Sequence, residues 1–453
     1  MQAKHLWTLW QALLAPLAVC FTSKGFRRFV QWLTGLVLNT EEHTVTQSLI
    51  ALDQPHDWKA LEAFVEYGSW RLPLLAATVA DMLEDAPGRI WHSFHVWAGD
   101  DTKVHRSSKN VWGTCTFHEP SARCPNRAST VRAHNWVCLG ALLHNPGKPA
   151  WYLPVCGQLY FRQSQLPGPG SNGEPPVTFR TKGVLLVEQA QHLARRVPGK
   201  HLLCVDGAYA TRNVIVPLVR PTDPRQRRVD VLSRLRLNAR LYQLPPTTRP
   251  EGKSGPWPKW GPKLAPPRQG GRWPGKWQQG EAFVYGRMRK VRWKEVLCLW
   301  KPLGPGVVIK AVVAEVEGYK KRFTLMSTAV ELTGLQVVEL FCARFRQEDG
   351  FRDLKQRLGW EECRAWTRQP IEVTTQALFV ALTLMRLLQL ELEEEGQREW
   401  WLRPPWNQKK DRASVLDVGR LLRKHAREMQ RFLSAWLKKR GNKGEGANGL
   451  GGE

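Results

Sequence analysis

Between residues 90 and 236 the chain sets strand-length apolar runs one after another, and then alternates them with helical stretches. Few folds accept that order. The segments "WHSFHVWAGDDT" (91–102), "HNWVCLGALLH" (134–144) and "AWYLPVCGQLYF" (150–161) read as consecutive strands. "GVLLVEQAQHLARRV" (183–197) reads as a helix ahead of the strand "KHLLCVD" (200–206). "AYATRNVIVPLV" (208–219) reads as a second helix, ahead of the strand "VDVLSRLR" (229–236). Strands in a run followed by strand–helix alternation specify a mixed α/β sheet.

The flanks differ. Residues 1–88 carry apolar positions at helical spacing, as in "TEEHTVTQSLIAL" (40–52) and "DWKALEAFVEYGSWRLPLLAATVADML" (57–83), and form a helical unit read as DNA-binding. The apolar stretch Leu6–Phe21 is short for a membrane span and is interrupted by Gln11 and Pro16. Trp7, Trp10, Leu14, Leu17 and Phe21 recur at helical spacing, which favours a soluble helix over a signal peptide. The core's first part is placed at 89–240 and a basic, β-containing insertion at 241–330. Residues 244–280 are dense in Pro, Gly, Lys, Arg and Trp, and read as loop. Trp257, Trp260, Trp273 and Trp277 lie among cations there, a mixture that suits phosphate contacts and base stacking and equally suits a plain surface insertion. Strands at 307–318 and 321–329, a long helix at 335–357 and an apolar helix at 374–395 follow, with 331–395 closing the core. Residues 396–453 form a C-terminal region with a basic amphipathic helix at 412–439 and a Gly-rich tail.

Lys and Arg number 67 against 40 Asp and Glu, a net charge of +27. An excess of that size calls for a polyanionic partner, nucleic acid before a membrane surface. The nine cysteines are odd in number and include no CxxC pair, which argues against a disulfide framework and for a reducing cytosol. Cys115, His118, Cys124 and His134 have a spacing that fits no common zinc finger or knuckle.

The acidic residues carry more information. Asp206 closes one apolar strand, and Asp100 and Asp101 close another just before Thr102. An aspartate ending a strand stands at the sheet edge where clefts open, although an isolated one is most often a turn or cap residue. On the helix at 335–357, Phe341, Arg344, Glu348 and Lys355 fall within roughly 60° of one face. Taken alone, Arg344 and Glu348 are an ordinary i,i+4 pair. Three carboxylates brought together would repel one another unless a divalent cation neutralised them, and oxygen-only ligands select Mg²⁺ or Mn²⁺. Two such ions about 3.5–4 Å apart serve phosphodiester displacement, one activating the attacking oxygen and the other stabilising the leaving one.

The spacing Phe341-x2-Arg344-x3-Glu348-x6-Lys355 resembles the Tyr-x2-Arg-x3-Glu-x6-Lys motif of bacterial insertion-sequence transposases of the DDE superfamily. "DDT" (100–102) and "VDGAY" (205–209) resemble that family's two aspartate motifs in the right order, with a long gap before the glutamate. The resemblance covers roughly residues 40–390. It implies an α/β, RNase H-like catalytic core with a mixed sheet, interrupted by a β-rich basic insertion and flanked by helical N- and C-terminal regions. It also implies two Mg²⁺ (or Mn²⁺) ions held by Asp100, Asp206 and Glu348, with Asp101 the alternative to Asp100. Thr102 favours Asp100, because the family pattern is Asp-x-Thr. Arg344 and Lys355 would contact phosphate, and Phe341 would pack against the end nucleotide without the hydroxyl of the family's tyrosine. Implied partners are double-stranded DNA, as inverted-repeat ends and target, and a second copy of the chain on that DNA in a bacterial cytoplasm. The implied reaction is nicking, excision and strand transfer.

Overall fold

Six buried residues, all but His95 apolar, open the strand that matters most, and a half-buried stretch follows. In β1 (Phe94–His105) Phe94 to Gly99 are buried, while Asp100 to Lys103 are only half-buried. A strand buried on both faces at one end and open at the other delivers its last side chains to the rim of a sheet. The computed structural model describes residues 2–119, 129–167, 176–248, 255–396 and 400–445. Cys124 and the end of the Gly-rich tail lie outside them.

β1 pairs antiparallel with β2 (Thr130–Leu143), which pairs antiparallel with β3 (Trp151–Tyr160) across a bulge at Leu139/Gly140. On its other side β1 runs parallel to β4 (His201–Val205), and β4 parallel to β5 (Val229–Arg234). The order β3-β2-β1-β4-β5, three antiparallel strands then two parallel ones, is that of an RNase H-like core. The sheet does not end there. β6 (Gln278–Val284), β7 (Arg287–Trp300), β8 (Val308–Val316) and β9 (Phe323–Ser327) extend it as an antiparallel series, with β9 hydrogen-bonded to β5.

Twelve α-helices are present among the described residues. The first five are α1 (Ala3–Leu14), α2 (Ser23–Leu38), α3 (Val45–Ile50), α4 (Trp58–Tyr67) and α5 (Leu72–Met82). α6 (Lys182–Arg196) and α7 (Arg212–Val219) cover one face of the sheet, where Leu186 lies over Gly99. The opposite face is covered by α8 (Gly334–Ala343), whose Val337, Val338 and Phe341 bury Phe94, Val96, Ala98 and Leu232. α9 (Arg346–Arg357) follows, then α10 (Arg368–Glu394), α11 (Val415–Lys424) and α12 (Ala426–Glu445).

α10 is the one described helix long and apolar enough to cross a membrane, and 89% of its most apolar window is buried in the fold. Its Gln376 Nε2 and Thr383 Oγ1 donate to the Val155 and Pro154 carbonyls of β3, satisfying polar groups that burial would otherwise make costly. The terminal helices meet one another: Trp7 stacks on Phe432, and Phe26 meets Trp436 edge-on.

The structure departs from the expected elements in four places. The helix expected over 335–357 is two helices, because Arg344 and Phe345 form a tight turn with Phe345, Gln347 and Glu348 amides reaching back only three residues. The helix expected over 208–219 begins at Arg212, since Asp206 and Gly207 carbonyls hold a turn first. The amphipathic helix at 412–439 is likewise divided, at His425. Finally, residues 278–300 form a β-hairpin. Its two-residue turn is Tyr285–Gly286, with φ of 46° and 88°, the left-handed pair that matches the twist of flanking strands.

Candidate active site

The parallel register of β1 and β4 pairs Gly99 with Val205, so the next residue on each strand is an aspartate. Successive strand side chains point to opposite faces. Asp100 therefore shares the face of Ala98, toward α8, and Asp101 faces α6. There Asp101 is fully engaged, accepting from Lys182 Nζ at 2.6 Å and from the Tyr209 hydroxyl at 2.9 Å. Asp100 Oδ1 accepts the Asp101 amide at 2.8 Å, and its Oδ2 accepts Arg344 Nη1 at 2.9 Å. Asp206 uses its backbone carbonyl, which accepts from Ser233 Oγ at 3.0 Å. Its carboxylate makes no hydrogen bond to another described residue.

Glu348 lies in the first turn of α9, where the helix dipole favours negative charge. Its half-exposed carboxylate meets Arg344 Nη2 at 3.4 Å. Two neighbours fix that turn against the sheet. Buried Gln347 donates to the Cys138 carbonyl at 3.2 Å and to Tyr152 Oη at 3.3 Å. Gly350 lets the helix lie on the Tyr152 ring, for a Cβ there would fall 2.3 Å from Tyr152 Cδ1. Sequence reasoning passed over both; a glycine inside a helical pattern was the available signal.

Asp100, Asp206 and Glu348 thus come from β1, the end of β4 and α9, with Arg344 bridging the first and third. Burial raises the Asp100 carboxyl from 3.8 to about 6; Arg344 and the Asp101 amide pull it down, and the charges of Asp101 and Asp206 push it up. Burial is the chief cause and the neighbouring acids add to it, so positive charge at this rim relieves the carboxylates. The donors are all carboxylate oxygens, which fits a hard divalent ion. As they stand, no three Asp, Glu, His or Cys side chains among the described residues are grouped to hold one ion. What lies between Asp100 and Glu348 is the Arg344 guanidinium.

The other expected contacts are spread more widely. Phe341 is 3% exposed, with the Arg234 and Arg344 guanidinium groups over its ring at 5.5 and 5.9 Å. Lys355 donates to the Lys103 carbonyl on β1 and lies 3.7 Å from Glu361. Trp273 is buried and donates to the Ala265 carbonyl. Trp277 is flanked by the guanidinium groups of Arg292 and Arg322 at 5.3 and 5.6 Å. Trp260 packs on Tyr242, and Trp257 is 45% exposed. Of the residues set aside as a zinc site, His134 is buried against the Trp112 carbonyl and Cys115 against that of Gln165.

A cleft of about 710 Å³ opens beside Asp206, lined by Arg234, Arg236, Tyr319, Lys321 and Arg322 among others. Cations with aromatic faces beside a carboxylate site form a surface suited to a phosphate backbone. Of these, only the general basic excess was read from the sequence; Arg234 ends the strand next to Asp206, and Arg236 follows just beyond it.

A family model described as DDE superfamily endonuclease matches residues 16–297. The match takes in both aspartate strands and stops before the α9 glutamate. No curated protein matches the chain.

Proposed function

Because the chain belongs to the DDE superfamily of endonucleases, we propose that it is a DNA transposase that cleaves transposon ends and joins them to target DNA. Asp100, Asp206 and Glu348 are the proposed metal ligands. The observation that carries the reading is the register of β1 and β4. It sets two aspartates side by side at the rim of the sheet, Asp100 raised to about 6 by burial and tied through Arg344 to a helical glutamate.

Bound Mg²⁺ or Mn²⁺ would lower the pKa of an attacking water or 3′-hydroxyl and stabilise the leaving oxygen. The protein's part is placement. The sheet holds Asp100 and Asp206 rigidly, while Gln347 and Gly350 seat the turn that presents Glu348. Arg234, Arg236 and Lys321 offer cations for the backbone running past Asp206. Asp101 is assigned to the scaffold, since Lys182 and Tyr209 hold it on the other face.

A second basic cleft, of about 620 Å³, lies between α2 and α12 and includes Lys24, Arg27, Arg28 and Lys438. It supports the reading of the N-terminal helices as a DNA-contacting unit, joined in that role by the C-terminal helix. Two copies would bring two ends together.

The test is cleavage of a labelled duplex taken from the DNA bordering the coding sequence, with Mg²⁺, Ca²⁺ or EDTA. Nicking that needs Mg²⁺, followed by joining of the 3′ end to a second duplex, and loss of both in Asp206→Asn, is expected. Nicking without joining would make the protein a metal-dependent nuclease. Salt-sensitive binding with no cleavage would make it a silent DNA-binding descendant.

A further inference from the structure

Arg344 is the cation that the carboxylates hold. Nη1 meets Asp100 at 2.9 Å and Nη2 meets Glu348 at 3.4 Å, so a single guanidinium spans β1 and α9. Its side chain is 10% exposed, and it lies in the tight turn between α8 and α9. A guanidinium presents five donors in a fixed fork, and here the one on Nε is buried without a hydrogen-bond partner among the described residues. An unpaired buried donor costs free energy, so this seat satisfies Arg344 only in part.

A divalent ion at this site would need the same oxygens. Asp100 Oδ1 accepts the Asp101 amide, and Oδ2 accepts Arg344. Each oxygen keeps a second lone pair, but the guanidinium sits between Asp100 and Glu348, where an ion shared by the two would have to lie. A phosphate diester, by contrast, matches the fork geometrically and can take donors that the carboxylates leave idle.

Resting on the nuclease reading of this site, we infer that Arg344 competes with the divalent ion for Asp100 and Glu348 in the DNA-free protein. A DNA phosphate that draws the guanidinium away then raises the affinity for metal. Metal loading and end binding are thereby coupled, and linkage makes the coupling mutual: metal tightens DNA by the factor by which DNA tightens metal. A protein built this way keeps its carboxylates neutralised and its chemistry idle until substrate is in place.

The experiment is Mn²⁺ binding at pH 7.5, by electron paramagnetic resonance of free Mn²⁺ and by calorimetry. The full chain is used, as wild type, Arg344→Gln and Glu348→Gln, with and without a blunt duplex and corrected for binding by the duplex alone. Without DNA, Arg344→Gln should bind Mn²⁺ about tenfold tighter than wild type or better, the worth of a charge-assisted hydrogen bond. Duplex should raise the wild-type affinity and leave Arg344→Gln little changed. Equal DNA-free affinities in wild type and Arg344→Gln would overturn the competition while leaving the metal site standing. Should Arg344→Gln fail to fold, the wild type alone decides, for an affinity that ignores the duplex overturns the inference. If neither wild type nor Arg344→Gln binds Mn²⁺ with or without DNA, the metal reading falls too. Binding by wild type that survives undiminished in Glu348→Gln removes Glu348 from the ligands, and the inference with it.

Discussion

Asp100→Asn should make the metal-free protein more stable and inactive at the same time. The carboxyl has its ordinary value of 3.8 in the unfolded chain and about 6 in the fold, chiefly because it is buried. A raised acid binds its proton more tightly when folded, so the ionised form destabilises the fold at every pH above about 6. The penalty shrinks as pH falls and is gone below the unfolded value. Each pH unit is worth about 1.4 kcal/mol, which puts the full penalty near 3 kcal/mol. Asparagine keeps the shape and the acceptor oxygen but forfeits the charge on Arg344, so about 1–3 kcal/mol is the expected gain. The assay is urea and thermal unfolding in EDTA of wild type and variant at pH 8 and pH 4, with cleavage measured in parallel. The variant should melt a few degrees higher at pH 8, match wild type at pH 4, and cut no DNA. A variant less stable at pH 8, or an advantage that persists at pH 4, would refute the reasoning.

Three further outcomes are expected. Glu348→Gln should abolish cleavage while end binding, measured by gel shift, stays similar or tightens; wild-type cutting would remove Glu348 from the chemistry. Gly350→Ala should push α9 off the Tyr152 ring, costing about 1–3 kcal/mol on thermal melts and lowering cleavage about 100-fold by displacing Glu348; normal activity would show that this seat is loose. Replacing Arg234, Arg236 and Lys321 together by Ala should flatten the dependence of DNA affinity on salt, because every cation taken off the phosphate backbone lowers the number of counterions released on binding by about one; an unchanged slope would place the DNA elsewhere.

The aspartate strands were legible because β1 and β4 are apolar runs that break off in acid, a pattern that survives whatever packs around them. The bend at Arg344–Phe345 was not. Helical spacing from Phe341 to Lys355 continues unbroken across it, and a turn made by backbone bonds reaching back three residues leaves no mark on periodicity. What looked like one stripe is therefore divided: Phe341 sinks into the sheet core, Lys355 reaches the Lys103 carbonyl, and Arg344 with Glu348 stays at the rim. Composition misled in the basic segment for a related reason. Pro, Gly and Lys around Trp273 read as exposed loop, yet the indole is buried, and Lys294 caps the Trp273 carbonyl beside it. The hairpin beyond it had a local signal, a Tyr–Gly pair between β-forming runs, which the density of charge in 287–294 obscured.

The doublet of aspartates also has a consequence for how the sheet assembles. Two acids in a row at a strand end invite a one-residue slip, since either could stand in the other's place while β1 zips onto β4. Lys182 and Tyr209 hold Asp101 on the far face, where a strand slipped by one residue would present Asp100 or Thr102 instead. The alternation of β1 settles the alignment, because a one-residue slip would turn Val96 and Ala98 away from α8. With that register the two acids leave the strand on opposite faces, Asp101 toward Lys182 and Tyr209 and Asp100 toward Arg344.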